Sequence, residues 1–186
     1  LEVGTVTPRP QYGNPKPRIF RNYSENSIIN RLGFNNKGID YLVNNLKKRK
    51  YEGVVGVNIG ANKSSNGNQR IKDYLLCIDK IHRFADYITI NISSPNTPDL
   101  RDLHLKENLK NLIISVEKKV AEINCKKPIF LKISPDETNE STEMIVDLVK
   151  NSSITGLVAT NTTTDKKNLT NEKLKKEDGG VSGQPL

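Results

Sequence analysis

Tyr87-Ile88-Thr89-Ile90 runs without a break into Asn91-Ile92-Ser93-Ser94-Pro95-Asn96-Thr97. The first four residues have the β-branched, apolar character of a strand shielded from water. The next seven deliver two amides, three hydroxyls and a proline just past its end. An amide offers a donor and an acceptor on one rigid group, and a serine hydroxyl can move a proton. Ser-Pro-Asn is also ordinary turn chemistry, so this stretch alone fits either a plain turn or a functional rim. The recurrence of the pattern at other strand ends favours the rim.

Working outward from Tyr87–Ile92, further strand-like runs are Glu2–Val6, Val54–Ile59, Ile129–Ile133 and Leu157–Thr160. Most are short and continuously apolar, the pattern of strands buried on both faces. Between them the apolar residues take helical spacing. Ile39, Leu42, Val43 and Leu46 form one stripe, and Ile71, Tyr74, Leu75, Ile78 and Ile81 a second. The longest joins Leu105, Leu109, Leu112, Ile113, Val116, Val120 and Ile123. A fourth, Asn139–Lys150, turns Met144, Ile145, Leu148 and Val149 inward. Strands alternating with helices predict a parallel sheet with crossover helices.

Two folds meet that description: the open doubly wound sheet and the closed (β/α)8 barrel. A dinucleotide-binding unit needs GxGxxG between its first strand and helix. Gly56-Val57-Asn58-Ile59-Gly60-Ala61-Asn62-Lys63 lacks it, and its first glycine lies inside the strand. A barrel instead collects polar residues after every strand, at one face. Thr5 and Thr7 end the first run, Asn58 the second, Asn91 and Ser94 the third, and Thr160-Asn161-Thr162 the fifth. Lys132 sits inside the fourth, Ile129-Phe130-Leu131-Lys132-Ile133, where a cation needs a partner unless the strand is an exposed edge. This convergence predicts an α/β protein of the (β/α)8 TIM-barrel type, incomplete here. Residues 1–186 are expected to form one partial catalytic domain, because five strands cannot close an eight-stranded barrel.

Composition removes several alternatives. The 186 residues suit one domain, and the 34% hydrophobic content is gathered in periodic runs rather than diluted into a disordered chain. A formal charge of +8 arises from 29 Lys+Arg against 21 Asp+Glu, yet aromatics are only 5%. The lysines spread over helix faces such as Leu46-Lys47-Lys48-Arg49-Lys50, so a solvated surface is favoured over a nucleic-acid footprint. Cys77 and Cys125 form no CxxC, and His82 and His104 have no metal-ligand spacing; reduced thiols and no metal are expected. No window reaches the roughly 18–20 apolar residues of a membrane span. Met144 is the sole methionine, so Leu1 reads as an internal position of a longer chain.

Two segments interrupt the alternation. Pro8 to Asn35 is proline-rich, and such a long insertion after a barrel strand fits either a structural cap or a loop that lays Asn30 and Phe34 across the mouth. Gly179-Gly180-Val181-Ser182-Gly183 resembles a phosphate-cradling loop, although glycine clusters also make plain turns.

Taken in order, seven motifs resemble dihydroorotate dehydrogenase over essentially the whole chain. They are Glu2-Val3-Gly4-Thr5-Val6-Thr7-Pro8-Arg9-Pro10, Asn30-Arg31-Leu32-Gly33-Phe34-Asn35, Gly56-Val57-Asn58-Ile59-Gly60, Asn91 to Thr97, Lys132-Ile133-Ser134-Pro135-Asp136, Thr160-Asn161-Thr162-Thr163 and Gly179 to Gly183. The likeness is to the class 2, quinone-dependent, membrane-associated and bacterial-like members, because Ser94 stands where soluble class 1 enzymes carry Cys. Ala61 stands where a Lys is commoner. The resemblance implies that the first and last βα units of the barrel lie outside Leu1 and Leu186.

It also implies a chemistry: oxidation of dihydroorotate to orotate in de novo pyrimidine (UMP) biosynthesis, with FMN as cofactor. A quinone is the implied acceptor, reached through an N-terminal segment absent from this chain. Ser94 is the implied catalytic base, taking the proton from C5. Asn30, Arg31, Leu32, Gly33, Phe34, Asn91, Asn96, Asn161 and Thr162 are implied to bind dihydroorotate or orotate. Thr5, Asn58, Asn91, Lys132, Thr160 and Gly183 are implied to bind FMN, with the Lys132 charge near the N1/O2 edge stabilising the reduced form. Peripheral membrane contact is implied at the cytoplasmic face of the inner (cell) membrane in a bacterium, or at the mitochondrial inner membrane in a eukaryote. No nucleic acid is implied. The residues alone leave two other classes open. One is a barrel lyase or aldolase with a Schiff base on Lys132 and no yellow cofactor, and the other a non-catalytic basic module with salt-dependent affinity for polyanions.

Overall fold

The computed structural model describes residues 1–96 and 105–186, so Thr97 and His104 lie outside the described residues. Eight strands occur among the described residues: β1 (Glu2–Val6), β2 (Ile19–Asn22), β3 (Ser27–Asn30), β4 (Gly56–Ile59), β5 (Tyr87–Asn91), β6 (Ile129–Lys132), β7 (Gly156–Val158) and β8 (Gly180–Gly183). The α-helices are α1 (Ile39–Leu46), α2 (Gly67–Ile81), α3 (Lys106–Glu122), α4 (Asn139–Lys150) and the single-turn α5 (Glu172–Lys175). β1, β4, β5, β6 and β7 form one sheet in that order, every neighbouring pair parallel. Helices α1 to α4 follow successive strands and pack side by side against one face.

The apolar stripes account for this layer. Tyr74, Cys77, Ile78 and Ile81 of α2 meet Leu109, Leu112 and Val116 of α3 over Val57, Ile59, Ile88 and Ile90, all at most 1% exposed. Removing one such Ile from water contributes about 1.5–3 kcal/mol. Thr138 caps α4, its hydroxyl accepting the Ser141 N–H at 3.1 Å. Cys77 on α2 and Cys125 ahead of β6 are both buried free thiols, and burial pushes the Cys77 thiol well above its usual range.

The central strands β4 and β5 are buried on both faces nearly throughout, as their composition suggests, but the two faces differ in chemistry. Side chains alternate along a strand. Val57, Ile88, Ile90, Ile129 and Leu131 join the helix layer, while Asn58, Thr89, Asn91 and Lys132 lie on the opposite, inner face. Because β6 is flanked by β5 and β7, Lys132 is not an edge-strand lysine. Boundaries differ by a residue or two. β4 starts at Gly56 with Val54 left 61% exposed, and β7 ends at Val158 before Thr160.

The Pro8–Asn35 insertion carries structure that its prolines conceal. β2 and β3 pair antiparallel around a short turn in which Asn26 takes φ 46°, and β8 adds to β3 from far along the chain. Ile29, Leu169 and Val181 form its own small core. The glycine run is therefore built into a strand, β8. Its backbone pairs with β3 from Ser27↔Gly183 to Asn30↔Gly180, and Val181 exchanges hydrogen bonds with Thr163. A Cβ on Gly180 would overlap the Thr162 hydroxyl and touch Pro95, so two rim loops close onto that bare Cα.

Candidate active site

The loops after β5, β6 and β7 turn sharply because side chains replace missing backbone partners. Ser94 Oγ accepts the Asn96 N–H at 3.3 Å and Ser134 Oγ accepts the Asp136 N–H at 3.1 Å. Asp136 then binds the Thr163 hydroxyl and both donors of Thr164, tying the β6 loop to the β7 loop. On the β1 side, Asn62 accepts the Arg9 N–H and donates to Thr7, Arg9 and Gln11, fixing the root of the insertion. Ala61 beside it is fully buried in the core.

These loops, the inner sheet face and the arm from Asn30 to Asn35 enclose a cleft of about 400 Å³. Of the residues expected to bind substrate, Asn30, Leu32, Gly33, Phe34, Asn91, Asn96, Asn161 and Thr162 line it, together with Ser94. Of those expected to bind FMN, Thr5, Asn91 and Lys132 line it. Ser94 is buried at 5% exposure, and Lys132, half-buried, has no hydrogen-bond or ion-pair partner among the described residues. Asn96 Nδ2 donates to the Asn30 carbonyl at 3.1 Å, clasping the insertion to the β5 loop. Asn161 Nδ2 donates to Asn91 Oδ1 at 3.2 Å and Ser93 Oγ at 3.0 Å, so the three residues form one unit. Phe34 adopts φ 54°, uncommon for a bulky residue, and its ring stands over Gly60 and close to Thr5. Asn36 holds that bend by donating to the Phe34 carbonyl at 2.7 Å.

Four expected residues are placed elsewhere. The Arg31 side chain turns away from the cleft: it pairs with Glu177 at 3.0 Å, donates to Asp178 and Pro17 carbonyls, and stacks on Phe20. A guanidinium so committed braces the insertion against the segment before β8. Asn58 lies deeper on the inner face and reaches the cleft through Thr5, whose hydroxyl it accepts at 2.7 Å. Thr160 donates to the Asn161 carbonyl, and Gly183 lies at the far end of β8 against Asn26. Gly4 and Asn35 line the cleft without having been singled out, although both stand inside motifs the sequence displays. Ser93, Glu2 and Gly180 are further additions that also stand inside those motifs, and their three-dimensional neighbours show what each contacts.

Polar groups gathered beyond the C-terminal ends of parallel strands define a barrel-type candidate small-molecule site with several donors and acceptors. The dihydroorotate dehydrogenase family model matches residues 1–186, and the chain belongs to that family. The chain is 53% identical over 190 residues to the dihydroorotate dehydrogenase (quinone) of Buchnera aphidicola subsp. Schizaphis graminum, covering all of this chain and 56% of that protein. It is 46% identical to the protein of the same name from Legionella pneumophila (strain Corby), covering 100% and 57%. Two crystal structures of DHODH from Eimeria tenella superpose closely. The ferulenol complex gives a TM-score of 0.91 at 37% identity, covering 100% of this chain and 56% of that one. The ligand-free form gives 0.92 at 38%, covering 100% and 57%. The described strands and helices are thus part of a (β/α)8 barrel, and the chain spans little more than half the length of the relatives it matches.

Proposed function

We propose that residues 1–186 are the catalytic, FMN-binding part of a dehydrogenase that oxidises dihydroorotate to orotate in pyrimidine synthesis and passes the electrons to a quinone. The single observation that supports this most is the convergence of the Ser94 hydroxyl, the Lys132 ammonium and the amides of Asn30, Asn91, Asn96 and Asn161 on one cleft. Orotate is flat, anionic and rimmed with alternating N–H and C=O groups, which paired amides match.

The residues present fit FMN. A lone ammonium beside amide and hydroxyl groups on the inner sheet face suits a heterocycle whose edge atoms accept hydrogen bonds. Thr5, Asn58, Asn91, Lys132, Thr160 and Gly183 would hold it. Bound there, FMN supplies a two-electron acceptor for the hydride leaving C6. The chain's own part is to orient the substrate and move the other proton. Ser94 Oγ takes the C5 proton as its own hydroxyl proton passes to solvent, and the Asn96 N–H aimed at that oxygen stabilises the negative charge that builds on it as its own proton leaves. Lys132 places positive charge where negative charge grows.

Among the described residues no helix is long and apolar enough to cross a membrane. The proposed quinone is reached through a segment outside this chain, and the proposed location is peripheral, at the inner cell membrane of a bacterium or the mitochondrial inner membrane of a eukaryote. The reading is tested by turnover of dihydroorotate by the full-length protein with a soluble quinone. Orotate formation that depends on both supports it, and no orotate under saturating dihydroorotate contradicts it.

A further inference from the structure

Beneath the cleft the polar groups form a chain with a single sense. Asn58 Nδ2 donates to Glu2 Oε1 at 2.9 Å and Thr89 Oγ1 to Glu2 Oε2 at 2.8 Å. An ionised carboxylate can only accept, so Asn58 must turn its NH₂ toward Glu2 and its oxygen away. That oxygen accepts the Thr5 hydroxyl at 2.7 Å. Thr5, its one proton used, can only accept from Asn91, whose Nδ2 donates to it at 3.3 Å. Asn91 Oδ1 then faces the rim, where it accepts the Ser93 N–H and Asn161 Nδ2, each at 3.2 Å. The second Asn161 amide hydrogen goes to Ser93 Oγ at 3.0 Å.

Of the four amide hydrogens on Asn91 and Asn161, three are committed inside the protein. One Asn91 N–H remains for a ligand, and Asn161 has only its carbonyl oxygen to offer. We propose that Glu2 is a positioning residue: the acceptor-only carboxylate at the base of the chain works with the donor-only Ser93 and Thr162 N–H groups at the rim to fix which way the Asn91 and Asn161 amides face the ligand. This rests on reading the cleft as the dihydroorotate site. Reversing the sense exchanges donors for acceptors, which a ligand with fixed N–H and C=O edges cannot follow. Glu2 is itself exposed in this chain, so its influence lies in donor–acceptor sense and not in Coulomb strength.

Glu2→Gln in the full-length protein tests this, because a Gln can present either an oxygen or an NH₂ and so removes the fixed polarity at the base, leaving only the rim N–H groups to hold the sense. Two readouts are taken: the side-chain amide NMR signals of Asn58 and Asn91 without ligand, and orotate binding by calorimetry. The expected results are displaced or doubled amide signals for both residues and orotate binding weakened by about tenfold, the scale of one misplaced hydrogen bond. Glu2→Asp, which keeps an acceptor-only group, recovers most of the loss. In an Asn91→Ala background the Glu2→Gln effect shrinks to within about twofold, because the link it acts through is gone. Unmoved Asn91 amide signals, or an equal Glu2→Gln effect in both backgrounds, overturn the proposal. Wild-type protein that does not bind orotate at all defeats the reading of the cleft instead, while the amide signals still decide the role of Glu2.

Discussion

Tyr74, fully buried in the helix layer, donates its hydroxyl to the main-chain carbonyl of Asn91 at 2.8 Å. The bond crosses from α2 to the last residue of β5 and pins the strand end just before Ser93 and Ser94. Tyr74→Phe leaves that carbonyl unpaired in a dry interior, at a cost of about 1–3 kcal/mol. Each kcal/mol lowers Tm by roughly 2–4 °C in a chain of this size. Thermal unfolding of the full-length variant is expected to show that drop, with weaker orotate binding beside it. An unchanged Tm and affinity count against the pin.

In the proposed mechanism, Ser94→Ala removes the hydroxyl that takes the C5 proton. It is expected to keep FMN and to slow dihydroorotate oxidation by at least ~10²-fold, the lower scale for a lost general base. Single-turnover kinetics check this. A rate within about threefold of wild type takes Ser94 out of the mechanism.

Gly180→Ala drives a methyl into the Thr162 hydroxyl and against Pro95, so both rim loops must shift. Gly156→Ala meets only the Phe130 ring at 3.6 Å, an ordinary contact. The first change is expected to weaken orotate binding by tenfold or more and the second by less than about twofold, because misplaced ligand contacts cost about 1–3 kcal/mol. Equal binding in the two variants contradicts the role given to Gly180.

Acid should loosen the contact between the insertion and the segment before α5. Glu25 accepts the Thr170 hydroxyl at 2.6 Å and the Thr170 and Asn171 N–H groups at 3.1 Å. Those bonds, the Thr170 hydroxyl foremost, hold its carboxyl below the ordinary 4.5. A depressed folded value means the stabilisation is present above the unfolded value and lost as pH falls through the folded one. The Thr170 amide signal is therefore expected to titrate with a midpoint below 4.5, and to stop titrating in Glu25→Gln. A midpoint at or above the ordinary value contradicts this.

The parallel sheet and its helices are legible in the sequence because their signals are local. The stripe from Leu109 to Val116 and the run from Tyr87 to Ile90 each announce one element. The antiparallel sheet is not legible, because β3 pairs with β8 about 150 residues later and its strands are too short to stand out among prolines and glycines. Rim residues such as Asn91, Ser94 and Lys132 show themselves as polar groups in apolar runs. The Arg31 partner is not legible, because Glu177, which pairs with its side chain, lies far along the chain. Glu2 and Ser93 stand inside the sequence motifs, but their partners Asn58, Thr89 and Asn161 lie more than 50 residues away, so their contacts are not legible.

The most direct test of the central claim is the visible absorption spectrum of the purified full-length protein, recorded without oxygen before and after dihydroorotate is added. The account predicts a yellow protein that bleaches on addition of dihydroorotate, and a Lys132→Ala variant that retains much less FMN. A colourless protein in which borohydride traps a carbonyl substrate on Lys132 would contradict it.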